Sequence, residues 1–484
     1  MFERRDVWRL GSEADPWDPL LSWYAQAINV LKGRPRTNPT SWDYLAAIHG
    51  TSIAPSQWPQ GATWQECQHD SWFFLPWHRI YLHYFERIVR RTIKDLNGPD
   101  DWALPYWHYN DSERPNTRSL PPAFRKRQMP SGDPNPLFVS ERRQTINDGG
   151  RLDATDVETG AAMAEEFFAG PADPIAGFGG GVTGWNHSGG PRGSLENTPH
   201  GDVHVGVGGL NPPGLMSSFN TAALDPIFWL HHANIDRLWE AWLGQHNPDR
   251  RNPPRARWRD MSFKVGQGAQ AVTLTVREVL DTTQPPLNYT YSEVSVPTLA
   301  PGAVLAARSE VVEPAFAAEG SGPEDEDLVP EMVGASEDRV PLGAEPTEAE
   351  VAVEPPSGPA LREGDEGAQP RKVYLKVENV RGKELVAPKY FVYVNLPPGA
   401  DPAEYEGRRA GQVSMFGVPE ASESDEEHSG SGLTFSFDIT GVVQRLQEAG
   451  DWDPQRLRVT FAPARVDAER GGDVNAGRVS LYYA

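Results

Sequence analysis

Two kinds of apolar periodicity divide the chain. Up to about residue 260, apolar positions recur three and four apart, the period of helices packed on one face. Pro16–Lys32 and Ser41–Ile48 follow that spacing. Residues 76–96 open with a proline in the first turn and stop at Asn97-Gly98, which predicts a long helix. Leu224-Asp225-Pro226 places an N-cap aspartate before a first-turn proline and predicts a second one, ending near Gln245. Residues 110–195 are rich in glycine and proline and read as loop; GFGGG at 177–181 follows no strand, so it lacks the context of a phosphate loop. From about residue 371 the period becomes two. Leu433, Phe435, Phe437 and Ile439 alternate with Thr434, Ser436 and Asp438, and Val373–Val380, Tyr390–Leu396, Leu457–Phe461 and Arg478–Tyr483 are similar. One short helix, Val442–Glu448, interrupts them. This spacing predicts an all-β sandwich of about 115 residues.

Between the two patterns, residues 301–370 carry 17 acidic groups against Arg308, Arg339 and Arg362, with Phe316 as the one aromatic. Such a composition cannot bury enough apolar surface to offset its ordering entropy and predicts a disordered acidic linker. The expected organisation is therefore a mainly α, four-helix-bundle domain over 1–300, the linker over 301–370 and a C-terminal β-sandwich over 371–484.

Composition narrows the function. The net charge is −22, of which 3 − 17 = −14 falls in the linker segment, the wrong sign for binding nucleic acid. Mean hydropathy of −0.55, with no long apolar run, speaks against a membrane-spanning protein. The single cysteine excludes a disulfide framework and thiolate zinc sites. The opening MFERRDVWRL has no charged-then-apolar signal peptide, so a cytoplasmic protein is expected, with helper-assisted export left open. Oligomeric state is not legible.

Histidine supplies the candidate chemistry. Eleven of the 12 histidines lie at or before His246. His200 and His204, at i and i+4, share a helix face. His231-His232 opens HHANIDRLW on the later helix, where neighbours 100° apart allow one of the two to point inward. His69 and His78 flank an aromatic run, and His49 ends an earlier helix. Many histidines from several helices, with no cysteine pairs and few carboxylates, suit a metal site in a bundle core. His83 reads as packing; His108, His187 and His246 have no ligand spacing.

The stretch His69-DSWF-Phe74-Leu-Pro-Trp77-His78-Arg79-IYLHYF-Glu86 resembles the first copper signature of the tyrosinase and polyphenol oxidase (type-3 copper) family, and Asp225-Pro226-Ile-Phe228-Trp-Leu-His-His232-Ala-Asn-Ile-Asp236 resembles the second. The resemblance implies two copper ions, one held by His49, His69 and His78 and the other by His200, His204 and His232. It implies a phenol oxidase that turns o-diphenols into o-quinones with O2 and, in some members, first hydroxylates monophenols; the partners are a small phenol and O2. The sibling activities are an o-aminophenol oxidase and a haemocyanin-like oxygen carrier. Cys67, two residues before His69, is similar to the cysteine that forms a thioether to that ligand in fungal members. Glu196 in Glu196-Asn197-Thr-Pro-His200 resembles a glutamate that orients a water and is the candidate base. Phe219 matches a gate residue over the first copper, Gly201 stands where efficient monophenol hydroxylases often carry Asn, and Val205 would line the entrance. Arg4-Arg5-Asp6-Val7 and Asn288-Tyr289-Thr-Tyr291 look like motifs that bracket the catalytic domain, and Tyr390–Asn395 is similar to a strand of plant-type C-terminal domains. That domain is expected to shield the site until cleavage of the linker, with the loop around Met415-Phe416 as the candidate plug.

Overall fold

The computed structural model describes residues 1–484 except 60–63, 112, 115, 171–174, 246–249, 296–329, 355–371, 425–429 and 467–471. Two separate hydrophobic cores organise them. One runs from Val7 to Tyr291 and the other from Val333 to Leu481, with no residue in common.

The first core is helical. Helix α1 is Pro19–Gly33, capped by Asp18 accepting from the Leu20 N–H, and α2 is Trp42–Ala47, capped by Ser41. Helix α3, Phe74–Asp95, starts two residues before the predicted proline and ends where Asn97 adopts a left-handed backbone. Helix α4 is Asp202–Gly208; the turn before it, Glu196–Gly201, is irregular, with Thr198 extended. Helix α5, Pro226–Leu243, begins at the predicted Asp225 cap, whose carboxylate accepts from Ile227 N–H and from Arg142 at 2.7 and 2.6 Å. Tryptophans fill the space between helices: Trp229 stacks on Phe85 at 3.5 Å between centroids and Trp242 on Phe178 at 4.5 Å. Strands β1 (Phe2–Arg4) and β2 (Tyr289–Tyr291) pair in parallel and bring the two ends of this unit together.

The second core belongs to strands β3 (Glu331–Ala335), β4 (Thr347–Val353), β5 (Val373–Val380), β6 (Lys389–Val394), β7 (Arg409–Ser414), β8 (Leu433–Asp438), β9 (Arg456–Ala464) and β10 (Arg478–Tyr483). They join in one antiparallel sheet in the order β7-β6-β9-β4-β3-β10-β5-β8, with helix α6 (Thr440–Ala449) beside it. Two separate sheets were expected. Instead the one sheet curls until its edge strands approach, Gly411 of β7 lying against the Phe437 ring of β8.

Strands β3 and β4 correct the linker boundary, because residues 331–353 were expected to lie in it. In β4, Thr347-Glu-Ala-Glu-Val-Ala-Val353, the alanine and valines at 349, 351 and 353 are buried while Glu348 and Glu350 face out. The acidic composition masked a period of two. The rest of the expected linker, 301–329 and 355–370, lies outside the described residues.

Both edges of the sheet dock on the helical unit. At β8, Thr434 N–H donates to Gly190 O and Arg192 N–H to Thr434 O, each at 2.9 Å. At β7, the Asn197 side chain substitutes for a strand, donating to Gln412 O at 2.6 Å and accepting from Ser414 N–H at 3.0 Å.

Candidate metal centre

Six histidine rings converge between α2, α3, α4 and α5. His49 follows α2, His69 precedes α3, His78 lies on α3, His200 ends the irregular turn, and His204 and His232 lie on α4 and α5. The centroids of His49, His69 and His78 are 5.1–5.6 Å apart. Those of His200, His204 and His232 are 4.6–5.6 Å apart. The two triads meet where His78 stacks on His232 at 4.5 Å.

Hydrogen bonds set which nitrogen is free. Nδ1 of His49, His78, His200 and His204 lies 2.8–3.1 Å from the carbonyls of Phe219, Phe74, Glu196 and Met216. A carbonyl only accepts, so each Nδ1 carries the proton and Nε2 keeps its lone pair. Nε2 of His49, His78 and His200 is buried without a partner, as are both nitrogens of His69. Nε2 of His204 faces Nε2 of His232 at 3.4 Å. Burial favours the neutral rings, bringing His49 down to about 3 and the other five well below their ordinary value. Neutral imidazoles oriented by backbone carbonyls and left with unpaired buried lone pairs are a ligand set for a borderline cation such as copper. The residues present fit that metal.

His231 departs from expectation. It was to point away from His232, yet both are buried and both join the cluster with His200 and His204. Helix α5 is enclosed on every side, so it has no solvent face to take the second ring. His231 backs the centre, lying 5.5 Å from His200 and nearly parallel to it, with Tyr109 on its far side.

Cys67 Sγ lies within 4.8 Å of ligand nitrogens of both His49 and His69. It is also 3.2 Å from Nδ1 of His187, a residue the spacing gave no reason to single out. The contact closes through the loop before α4 and has no local sequence signal. Burial, then Glu196 and the other nearby acids, pushes the thiol up, so it is held protonated.

Glu196 is buried and takes the Asp70 N–H on both oxygens, at 2.9 and 3.0 Å. Asp70 has a left-handed backbone immediately after His69, and its carboxylate is held by Arg192 at 2.6 Å and by the Gly189 N–H. Burial raises the Glu196 carboxyl well above its ordinary range, Asp70 adds to that, and Arg192 opposes it.

One phenylalanine covers each triad. Phe219, from the helical unit, stacks on His69 at 4.0 Å. Phe416, from the loop after β7, stacks on His204 at 4.0 Å and 11°, and packs against Phe219 and Val205. Gly201 lies under the end of β7: a Cβ there would sit 2.6 Å from Ser414 Oγ. The second unit thus occupies the approach to the centre.

One turn beyond His232, Asp236 takes Arg79 at 2.5 Å, Arg4 at 3.2 Å, and the hydroxyls of Tyr289 and Tyr291 at 2.5 Å each. The two terminal motifs therefore meet on one carboxylate, while Arg4 also reaches Glu86 at 2.8 Å. His83 is buried beside this cluster, away from the metal centre; His246 lies outside the described residues.

A helical scaffold carrying two buried histidine triads defines a protein with an all-imidazole set of candidate metal ligands. The chain belongs to the tyrosinase family. The common central domain of tyrosinase matches residues 39–165 and 133–245, and a domain of unknown function (DUF7868) matches 329–484, which includes β3 and β4. The chain is 37% identical to Tyrosinase HcTyr1 of Hahella sp. (strain CCB-MM4), over 96% of this chain and 97% of that protein. It is 26% identical to the chloroplastic polyphenol oxidase of Malus domestica, over 95% of this chain and 75% of that one. In fold it is similar to latent apple tyrosinase, with a TM-score of 0.63 at 22% identity, covering 100% of this chain and 97% of that one. The protein is a copper-dependent phenol oxidase whose family implies a dicopper centre.

The expected cytoplasmic location is corrected by the same relatives. The polyphenol oxidases of Malus domestica and Vitis vinifera are chloroplastic, so the opening residues give no basis for that assignment. Among the described residues no helix is long and apolar enough to cross a membrane.

Proposed function

We propose that the protein oxidises o-diphenols to o-quinones with O2, with monophenol hydroxylation the weaker activity, and that the intact chain is latent. Phe416 carries this reading. An aromatic ring stacked on His204 at 4.0 Å stands where a phenol ring would have to lie to reach a metal held by His200, His204 and His232. Copper held by that triad and by His49, His69 and His78 supplies the electron exchange between phenol and O2. Each o-diphenol gives up two electrons and two protons, and one O2 takes four of each to leave as two waters, so two diphenols turn over per O2.

The chain's own residues supply the rest. Phe219 and Val205 form an apolar wall that excludes water and orients the ring. Glu196, whose two oxygens both accept from the Asp70 N–H beside His69, is the base for the phenolic proton. Gly201 leaves no amide side chain beside His200 to assist that step, which favours the diphenol, which is the easier substrate to deprotonate and orient. Cys67 is crosslinked to His69 in the mature protein: the thiol and a ring C–H each lose a hydrogen, a C–S bond forms, and O2 takes the two electrons and two protons to leave as hydrogen peroxide. An intact chain lighter by two hydrogens, with the link between Cys67 and His69, is the expected mass; an unmodified mass would remove it.

Cleavage within 296–329 separates the helical unit from the sheet and withdraws Phe416. The test is oxygen uptake on a catechol, a tyrosine-like phenol and an o-aminophenol before and after limited proteolysis. Catechol is expected to be oxidised fastest, and faster after cleavage. O2 binding without quinone would mark a carrier, and equal rates before and after would remove latency.

A further inference from the structure

We propose that Arg192 is a specificity-determining residue that binds the carboxylate of phenolic substrates of the arylpropionate type, an aromatic ring joined through two carbons to a carboxylate. This rests on the site being a phenol oxidase whose ring position Phe416 occupies. The argument starts from what Phe416 is. Its ring stacks on His204, and its own carbonyl, two carbons from that ring, accepts from Arg192 NH1 at 2.7 Å. Ring, methylene, second carbon and carbonyl reproduce the skeleton of an arylpropionate. The plug is therefore bound as that substrate would be, at both ends.

The fit is incomplete in an informative way. Arg192 is buried, its Nε is engaged by Asp70 at 2.6 Å, and its NH1 by Phe416, while NH2 is buried with no partner. NH2 points at the same loop: a Cβ on Gly417 would lie 3.2 Å from it. An amide carbonyl brings one oxygen to a fork of two N–H donors. A carboxylate brings two, and the paired N–H to O geometry of guanidinium and carboxylate would satisfy both. Asp70 holds the other edge of the guanidinium and fixes its direction, so the open edge keeps its aim when the plug leaves. The anchor comes from segment 190–192, which pairs with β8 in the intact chain and belongs to the helical unit. That unit has its own core and keeps Arg192 and all six histidines after cleavage.

The test uses copper-loaded protein freed of its sheet unit by limited proteolysis. KM is measured for 3-(3,4-dihydroxyphenyl)propionate and for its amide, which differ by one charge and one oxygen. The acid is expected to have a KM about tenfold lower at similar kcat. Arg192→Gln is expected to bring the ratio of the two KM values to about one, and Arg192→Lys, which keeps the charge but not the fork, to an intermediate value. A ratio near one in the parent protein, or a ratio that Arg192→Gln leaves in place, overturns the proposal. Calorimetry with 3-phenylpropionate and 3-phenylpropanamide, neither of which can be oxidised, reads the same preference without turnover. Tighter binding of the acid supports the carboxylate site even if no catechol is oxidised; equal binding overturns it even if one is.

Discussion

Two buried polar clusters lie one helical turn apart on α5, and they obey opposite rules. Around Asp236 every charge is answered. Burial by itself would raise its carboxyl, but Arg79 and Arg4 outweigh burial and hold it below its ordinary range. Around His232, four residues earlier, Nε2 of His49, His78 and His200 has no partner. A buried polar atom left unpaired costs about 1–3 kcal/mol, so several together are not explained by folding. The first cluster closes the helical unit by tying both its ends to one carboxylate. The second leaves buried lone pairs free, as a metal-ligand set requires. Adjacent residues can serve opposite ends, as His78 and Arg79 do on α3, because successive positions on a helix face different neighbours.

The contrast predicts different responses to substitution. Asp236→Ala leaves Arg4 and Arg79 buried without their carboxylate and is expected to cost about 3–5 kcal/mol in denaturant unfolding of the copper-free protein. His204→Ala in the same copper-free protein is expected to cost much less, because it removes a facing lone pair. Equal losses would erase the distinction. Glu196→Gln is expected to lower monophenol hydroxylation by about 10- to 100-fold and diphenol oxidation less. Equal loss in both assays would leave Glu196 a merely structural role.

Phe416→Ala in the uncut chain is expected to raise the diphenol rate by about tenfold, short of full activation because β7 and β8 stay docked. An unchanged rate would place the block elsewhere. The smallest effect is expected at Glu165, which accepts from Ser194 at 2.6 Å. Burial, countered in part by Ser194 and Lys372 and reinforced by Asp438 and Glu166, raises its carboxyl to about 7. The folded state therefore holds a proton that the unfolded chain releases near 4.5. This contribution is fully present below that pH and is lost as pH rises to about 7. Glu165→Gln should flatten the fall in stability across that window; an unchanged slope would assign it to other groups.

How much of this was legible in the chain depends on distance along it. The cap at Asp225, the stop at Asn97-Gly98, and the strands Val373–Val380 and Arg478–Tyr483 are local, and they read correctly. Of the six histidines that converge, His69, His78 and His232 stand in the two dense motifs, His200 and His204 were legible as an i, i+4 pair, and His49 only by its spacing upstream of His69. His231 was not, since its burial depends on neighbours that surround α5. Nor was the Cys67–His187 contact, made across 120 residues. Strand β4 carried its alternation in plain view, but its glutamates, exposed on one face, look like linker composition when counted without phase. Phe416 could be suspected as a plug, while the pairing of its carbonyl with Arg192 appears only when β7 and β8 have docked.

The central claim is that the two histidine triads, His49, His69 and His78 with His200, His204 and His232, are the metal ligands. Copper content per chain, measured on copper-saturated protein after removal of free metal, tests it directly. The parent protein is expected to hold about two copper ions per chain and His204→Ala about one, by loss of a ligand from the second triad. An equal content in both proteins would contradict the assignment.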